Sequence, residues 1–207
     1  MRKRKAQTHP PVVERSTQEL SPRTWPDFEQ LFESHPAPGA YPCRCMYNHR
    51  CGPLTKAERA ESSAQRTVAN RRAQRALVEG GASHGILVFH QGQAVGWCQY
   101  GTADELPRVA SQPIYRRLVA NASTGKLWRI TCFLTHRKYR GQGIARTALK
   151  AALRAIEKKG GGMVEAYPIR RWGAYAEYRG TLAMFQAEGF KVVAPLGRSN
   201  LLVRKII

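Results

Sequence analysis

The chain has 207 residues, which is enough for one domain and some additional chain but not for two full domains. Hydrophobic residues make up 43% and charged residues 23% of the sequence, a composition that excludes a protein disordered throughout its length. The formal net charge of +20 attracts anions and makes nucleic acid one candidate partner, but the basic residues are spread along the whole chain, so a solvated basic surface is favoured.

The sequence has no feature of a secreted or membrane protein. No segment approaches the roughly 18 to 20 consecutive apolar residues of a membrane span, and no apolar segment follows the basic residues 2–5 as it would in a signal peptide. Five cysteines are an odd number, and a chain of this size folds without disulfides, so free thiols are expected. We therefore expect a cytoplasmic protein that does not contact a membrane.

The first third of the chain predicts a tail followed by helices. Residues 1–23 are basic, contain several prolines and have hardly any apolar periodicity, which indicates a disordered tail. A cap residue and a proline in the first turn predict a helix over Trp25–Glu33. A cysteine-containing loop follows at 40–53, and a capping-box pattern begins a single helix over 55–79.

The rest of the chain alternates between strand and helix patterns. Short apolar runs predict strands, a glycine-containing turn joins the first two into a hairpin, and apolar residues at helical spacing follow the central strand. The predicted strands are 86–90, 94–100, 127–135, 163–169, 191–194 and 200–206, and the predicted helices are 114–119, 145–156 and 182–188. This order predicts an α+β fold with a mixed sheet.

A glycine-rich turn between the central strand and the next helix is the strongest candidate for chemistry. The first N–H groups of a helix lack backbone partners, so Arg140–Ala145 predicts an anion site in which Gly141 and Gly143 let phosphates approach the backbone. A turn that binds nothing is one alternative. A dinucleotide-binding fingerprint is another, but its third glycine would fall at Arg146, and a hairpin precedes it instead of a Rossmann strand.

The sequence around this turn resembles motif A of the GNAT superfamily of acetyl-CoA-dependent N-acetyltransferases. Within the run Phe133–Ala145, the residues Arg140, Gly143 and Ala145 fill the family pattern Arg/Gln-x-x-Gly-x-Gly/Ala. The similarity extends over about 86–207 and includes a closing helix with the family's Gly-Phe ending. Several matching segments in the right order make the resemblance specific.

The resemblance implies an architecture. The fold would be α+β, with a GNAT-like mixed, mostly antiparallel central sheet and flanking helices. The chain would form one GNAT-like domain over 24–207, with its core at 84–207 and the disordered basic tail at 1–23 in front of it. Two cysteine-containing segments, Cys43–Tyr47 and Gly96–Cys98, resemble a bacterial subgroup of the superfamily.

The resemblance also implies acetyl-CoA as the cofactor. Its pyrophosphate would bind the backbone N–H groups of about Gln142 to Arg146, and its pantetheine arm would lie along Phe133–Thr135 like an additional strand. A backbone amide of the same strand would polarise the thioester carbonyl. The predicted cofactor-binding residues are Phe133, Leu134, Thr135, Arg140, Gly141, Gln142, Gly143, Ile144, Ala145 and Arg146.

Direct attack by an amine requires one group that keeps the amine unprotonated and another that protonates the leaving thiolate. Glu165 is the candidate base, because it lies on the strand that faces the separated end of the central strand, where partial burial could raise its pKa toward neutrality. The alternative is a glutamate that lies on the surface or is paired to one of the many arginines. The family commonly has a tyrosine acid four residues before the Gly-Phe pair, where this chain has Phe185. Tyr175 or Tyr178 would substitute for it, or solvent would protonate the thiolate.

Cysteines and a histidine form a candidate metal site in the predicted loop. Cys43, Cys45, His49 and Cys51 are ligand types that zinc accepts. The one-residue gap between the first two is poor spacing for a tetrahedral site, so we expect thiols packed beside the substrate cleft and no metal. Cys132 on the central strand is interpreted as a small buried hydrophobic side chain, with an acyl-accepting nucleophile as the alternative.

These features predict a cytoplasmic bacterial N-acetyltransferase that transfers the acetyl group of acetyl-CoA to a primary amine by direct attack in a ternary complex. The acceptor would be a small molecule or a protein, and the protein would be a monomer or a homodimer. The competing class is a protein without catalysis: a coenzyme A-binding sensor, or a basic adaptor on RNA. Phe185 at the usual tyrosine position favours this competing class slightly.

Overall fold

The computed structural model describes residues 15–34, 43–119, 125–170 and 178–207 of the chain. Its strands are β1 (Arg15–Glu19), β2 (His84–His90), β3 (Gln93–Thr102), β4 (Leu127–Thr135), β5 (Met163–Ala166), β6 (Lys191–Leu196) and β7 (Asn200–Ile206). Its α-helices are α1 (Trp25–Glu33), α2 (Met46–His49), α3 (Lys56–Ala60), α4 (Ser63–Glu79), α5 (Pro113–Leu118), α6 (Ile144–Lys158) and α7 (Leu182–Gln186). Short 3₁₀ helices lie at Pro107–Val109 and Arg137–Tyr139.

The strands of the described residues form one sheet in the order β1-β2-β3-β4-β5-β7-β6. β4 and β5 are parallel, whereas every other pair of neighbours in this sheet is antiparallel. Because parallel neighbours need a crossover connection, α6 crosses one face of the sheet between β4 and β5. The predicted α+β fold with a mixed, mostly antiparallel sheet and flanking helices is confirmed.

Helices cover both faces of the sheet. α6 packs on one face through Ile144, Leu149 and Ile156. α1 packs on the opposite face, where the ring centroids of Phe28 and Trp97 are 4.9 Å apart. Among the residues described, no helix is both long enough and apolar enough to cross a membrane.

A missing side chain on β3 determines how closely α6 approaches the sheet. A Cβ on Gly96 would lie only 2.2 Å from Cγ2 of Ile144, the first residue of α6. Glycine at this position therefore lets the N-terminus of α6 rest directly on the strand. The start of this helix is thereby fixed next to the end of β4, because β3 and β4 are neighbours in the sheet.

The N-terminal boundary of the fold differs from the prediction. β1 pairs antiparallel with β2 along its whole length, and the next residue, Leu20, is buried. The prediction of a disordered tail is therefore wrong for 15–23, while residues 1–14 lie outside the described residues. The sequence did not indicate β1 because an edge strand is held by main-chain hydrogen bonds, and Arg-Ser-Thr-Gln-Glu has no apolar alternation.

Three smaller boundaries also differ. The single helix predicted over 55–79 is two helices, because Ser62 forms a second capping box that starts α4 afresh. The loop predicted at 40–53 contains α2 in its described part. The strand predicted at 163–169 ends at Ala166, which matters for the site because β5 stops pairing with β4 there.

Candidate functional site

The turn that leads from β4 to α6 has the conformation of an anion site. Gly141 and Gly143 both have left-handed backbone angles, with φ of +74° and +79°, which glycine adopts at little cost. Gly143 is the N-cap of α6, and its carbonyl accepts a hydrogen bond from the N–H of Thr147, which closes the first helical turn. The N–H groups that precede Thr147 lack intrahelical partners, and the helix dipole places partial positive charge there.

β4 and β5 separate before β4 ends. Their last pair is Ile130 with Ala166, whereas β4 continues to Thr135 and still pairs with β3 there. Phe133 and Leu134 also lie past this last pair, so the edge of β4 that faces β5 is open to an additional extended chain. The predicted separation of the two strands is therefore present in the structure.

A β-bulge determines which side chains of β4 reach the site. Two successive residues of β3 pair with Ile130 and Cys132, so Thr131 is an additional residue in β4. After the bulge, Phe133 packs in the cluster on the α6 side, while Cys132 and Leu134 pack on the α1 side. Leu134 also lines the cavity beside the turn, whereas the ring of Phe133 belongs to the core.

A cavity of about 450 Å³ lies between the turn, the end of β4 and α7. Eight of the ten predicted cofactor-binding residues line it: Leu134, Thr135, Arg140, Gly141, Gly143, Ile144, Ala145 and Arg146. The other two are placed differently, because the Phe133 ring is buried against Phe185 and the carbonyl of Gln142 accepts a hydrogen bond from Arg15. The opposite wall of the cavity is formed by Thr181, Ala183, Met184 and Ala187. No sequence pattern identified these four as site residues.

These residues fit acetyl-CoA by the kind of contact that they offer. A pyrophosphate needs clustered N–H donors, which the N-terminus of α6 supplies, and an extended pantetheine arm needs an open strand edge, which β4 supplies. A Cβ on Gly143 would meet only Nη1 of Arg15, at 4.0 Å, so the backbone at this position is accessible. The cofactor-binding role of the individual residues stays a prediction.

Glu165 is the centre of a buried polar network. Its side chain is 0% exposed, and Oε2 accepts hydrogen bonds from the hydroxyls of Tyr115 and Tyr167 at 2.6 and 2.9 Å. Arg204, its cross-strand neighbour on β7, donates from Nε and Nη2 to Oε1 at 2.9 and 2.7 Å. Glu165 also lies opposite Arg129, on the part of β5 that still pairs with β4. The structure therefore supports the ion-paired alternative for Glu165 over the role of base.

The two tyrosines of this network remain hydrogen-bond donors. Burial, followed by the hydrogen bond to Glu165, raises the pKa of Tyr115. Burial, followed by the charge of Glu165, likewise raises the pKa of Tyr167. Both hydroxyls therefore stay protonated at neutral pH and continue to donate their hydrogen bonds to Glu165.

The candidate acids are placed very differently. Tyr178 is half-buried and lines the cavity, whereas Tyr175 lies outside the described residues. Phe185, at the usual tyrosine position, is fully buried between Phe133 and Phe190, with ring centroids 5.9 and 5.1 Å away. Its phenyl ring thus belongs to the core, and the assignment of the proton donor to Tyr178 or Tyr175 stays a prediction.

The side chains considered as metal ligands in the sequence do not point toward a common centre. Cys45 accepts a hydrogen bond from the indole N–H of Trp97 at 3.1 Å, and its thiol hydrogen-bonds to that of Cys132. His49 instead contacts a backbone carbonyl through Nδ1 at 2.8 Å, and Cys51 is exposed. Within the described ranges, no group of three or more His, Cys, Asp or Glu side chains is arranged to hold a metal ion.

The thiols on the α1 side of β4 differ in their ionisation. Burial raises the pKa of Cys43 to about 11 and that of Cys45 well above its usual value, so both are neutral thiols at pH 7. The hydrogen bond from Cys45 lowers the pKa of Cys132. Cys45 and Cys132 pack in the same cluster as Leu134, and their position beside the substrate cleft stays a prediction.

Comparison with known proteins identifies the protein family. A sequence model of the Acetyltransferase (GNAT) family matches residues 46–179, and no curated protein sequence matches the chain. Among solved structures, PaiA N-acetyltransferase from Thermoplasma acidophilum in complex with coenzyme A is 13% identical, with a TM-score of 0.54 over 94% of this chain and 99% of that one. An acetyltransferase from Thermus thermophilus is 16% identical, with a TM-score of 0.52 over 95% and 99%. The NatC complex bound to Gag peptide and CoA is 10% identical, with a TM-score of 0.51 over 94% and 99%.

The chain belongs to the Acetyltransferase (GNAT) family, because the family model matches well over half of it. Membership confirms the predicted family and acetyl-CoA as the cofactor, and it supports acetyl transfer as the general activity. The solved structures are too distant in sequence to say more than that the fold is shared.

Proposed function

We propose that this protein transfers the acetyl group of acetyl-CoA to a primary amine of a small molecule or a protein, by direct attack in a ternary complex. The observation that carries the proposal is a single cavity that contains both the N-terminus of α6 and the open end of β4. One offers N–H donors for phosphates and the other offers an edge for an extended arm, so one ligand reaches both. A structural neighbour that binds a peptide together with CoA keeps protein amines among the candidate acceptors.

The proposed cofactor site is built mostly from main-chain groups. The N–H groups from Gln142 to Arg146 would hold the pyrophosphate, and the main chain of Phe133–Thr135 would pair with the pantetheine arm. Arg140 and Arg146 both line the cavity and add positive charge there, and Nε of Arg146 donates a hydrogen bond to Glu188 at 2.8 Å. When bound, acetyl-CoA supplies an activated acetyl thioester, and a backbone N–H at the end of β4 polarises its carbonyl.

Proton transfer is assigned to groups that reach the cavity. Tyr178 lines the cavity, and we assign it to protonate the leaving thiolate, with Tyr175 and solvent as its alternatives. Glu165 is fully engaged by three partners, so the amine loses its proton to water or to another group. Glu165 contributes instead by joining β5, β7 and α5 next to the point where β4 and β5 separate.

A sensor that binds coenzyme A without catalysis is the second candidate function. The observation that favours it is the buried Phe185, because a phenyl ring in the core has no proton to donate. The cofactor site would be the same in a sensor and in an enzyme. The two functions therefore differ in turnover and not in acetyl-CoA binding.

The experiment that separates them measures free thiol released from acetyl-CoA in the presence of a panel of polyamines, amino acids and peptides. An acetyltransferase releases thiol only when an amine acceptor is present, and mass spectrometry then detects the acetylated amine. A rise in melting temperature with acetyl-CoA but no amine-dependent release supports the sensor. Absence of both the stabilisation and the release contradicts both functions.

A further inference from the structure

Arg15, at the start of the edge strand β1, reaches the turn that precedes α6. Its Nη1 donates a hydrogen bond to the carbonyl oxygen of Gln142 at 2.7 Å, across 127 positions of sequence. The residue opposite Arg15 on β2 is His90, whose ring centroid lies 4.9 Å from that of Tyr139. The ends of β1 and β2 therefore touch the turn at two places.

The hydrogen bond from Arg15 fixes the orientation of one peptide group in the turn. In a trans peptide the C=O and the following N–H point in opposite directions. The carbonyl of Gln142 is held toward Arg15, so the N–H of Gly143 points the opposite way. Gly141 and Gly143 line the cavity on either side of this carbonyl.

The turn itself does not determine this orientation. Rotation of the peptide between Gln142 and Gly143 changes φ of the glycine, and glycine populates positive and negative φ about equally. The observed φ of +79° at Gly143 is therefore one of the backbone conformations that this glycine can adopt without steric cost. An external donor that holds the carbonyl removes the alternative orientation, in which a carbonyl oxygen would face the anion.

We propose that Arg15 is a positioning residue for the pyrophosphate site: it holds the carbonyl of Gln142 so that the N–H of Gly143 faces the phosphates. This inference rests on the proposed function, because it assumes that the turn binds the pyrophosphate of acetyl-CoA. Arg15 acts through the backbone of the turn. Its contribution therefore affects the phosphate half of the ligand and not the acetyl transfer step.

The test measures acetyl-CoA affinity by titration calorimetry for the wild type, Arg15→Ala, Arg15→Lys and Arg75→Ala. Loss of one such hydrogen bond should weaken acetyl-CoA binding by about 3-fold to 10-fold in Arg15→Ala, and Arg15→Lys, which keeps a cationic donor, should recover part of it. Arg75→Ala removes the same charge from an exposed pair with Glu79 on α4 and should bind as the wild type does. Turnover should be unchanged in Arg75→Ala, whereas the KM for acetyl-CoA should rise in Arg15→Ala by the same factor as its affinity falls.

Two further measurements separate positioning from other effects. The loss in Arg15→Ala should persist at 1 M salt, where the screening length is about 3 Å; a loss that disappears there shows attraction by charge alone and overturns the inference. Acetyl-pantetheine lacks the pyrophosphate, so its KM should not change, and an equal loss with this substrate indicates general disorder of the site and also overturns it. If Arg15→Ala does not fold, Arg15→Lys carries the same comparisons.

The result also distinguishes this inference from the proposed function. Equal acetyl-CoA affinity of the wild type and Arg15→Ala overturns the role of Arg15 and leaves the acetyltransferase proposal intact. Absence of acetyl-CoA binding by the wild type contradicts the proposed function itself, and the inference with it.

Discussion

Replacing Glu165 by Gln separates the structural from the catalytic role of this residue. Glutamine has nearly the same shape, but its NH₂ group is a donor, and every hydrogen bond to Glu165 described above also comes from a donor. If the NH₂ replaces Oε2, it faces the hydroxyls of Tyr115 and Tyr167; if it replaces Oε1, it faces the guanidinium of Arg204. The guanidinium can only donate, so the second orientation loses hydrogen bonds, whereas in the first the tyrosine hydroxyls can turn to accept from the NH₂ group. Both orientations leave the Arg204 charge without its carboxylate partner.

The magnitude follows from the burial of the pair. Removing one partner from a buried ion pair costs about 3 to 5 kcal/mol of unfolding free energy. The Arg204 side chain is 20% exposed and keeps some hydration, so we expect the lower end, about 3 kcal/mol. A catalytic base would give a different pattern, with turnover reduced by about 10²-fold to 10⁴-fold and little change in stability.

The assay combines urea unfolding with thiol release from acetyl-CoA by the folded fraction. We expect Glu165→Gln to be destabilised while its turnover and acetyl-CoA affinity stay close to those of the wild type. Glu157→Gln, an exposed position on α6, is the matched control and should change neither quantity. A Glu165→Gln protein that is as stable as the wild type but inactive would refute the structural role and restore the role of base. A double-mutant cycle with Arg204→Gln measures the coupling directly.

Three further predictions concern the cofactor turn, a half-buried histidine and the candidate acid. Valine at Gly143 is strained at φ +79°, so acetyl-CoA should raise the melting temperature of the wild type but not that of Gly143→Val; equal shifts would show that the turn is not the site. Burial lowers the pKa of His49 from its usual 6.5, so the unfolded chain binds a proton at a higher pH than the folded protein does. In urea unfolding, the wild type should therefore lose stability relative to His49→Gln as the pH falls below 6.5. Identical dependence of stability on pH in the two proteins would contradict this. Tyr178→Phe should lower turnover about 10²-fold to 10⁴-fold with unchanged acetyl-CoA affinity, and wild-type turnover would transfer the role to Tyr175 or solvent.

The cofactor half of the site could be predicted because its chemistry is local. The turn needs glycine at Gly141 and Gly143 for positive φ, and a strand pattern before it and a helix pattern after it place the N–H groups. The separation of β4 from β5 followed from the family resemblance. The conformation of the turn depends on residues close together in the sequence, so a sequence pattern contains it.

The parts that could not be predicted depend on contacts between distant segments. β1 has no apolar pattern and is identified only by its pairing with β2, about 70 positions later. The choice between a base and an ion pair at Glu165 depends on the register of β5 against β7, which brings Arg204 opposite it from 39 positions away. The cavity wall around α7 depends likewise on how the end of the chain folds back onto α6.

The two cysteine-containing segments Cys43–Tyr47 and Gly96–Cys98 are in contact in the structure. Trp97 is fully buried, and a Cβ on Gly85 would lie 1.9 Å from its ring, so the indole fills the space that this glycine leaves. A buried indole N–H needs an acceptor, which the sulfur of Cys45 supplies at 3.1 Å. Burial also raises the pKa of this thiol, so Cys45 is a poor nucleophile. The two segments therefore serve to pack residues 43–47 against β3.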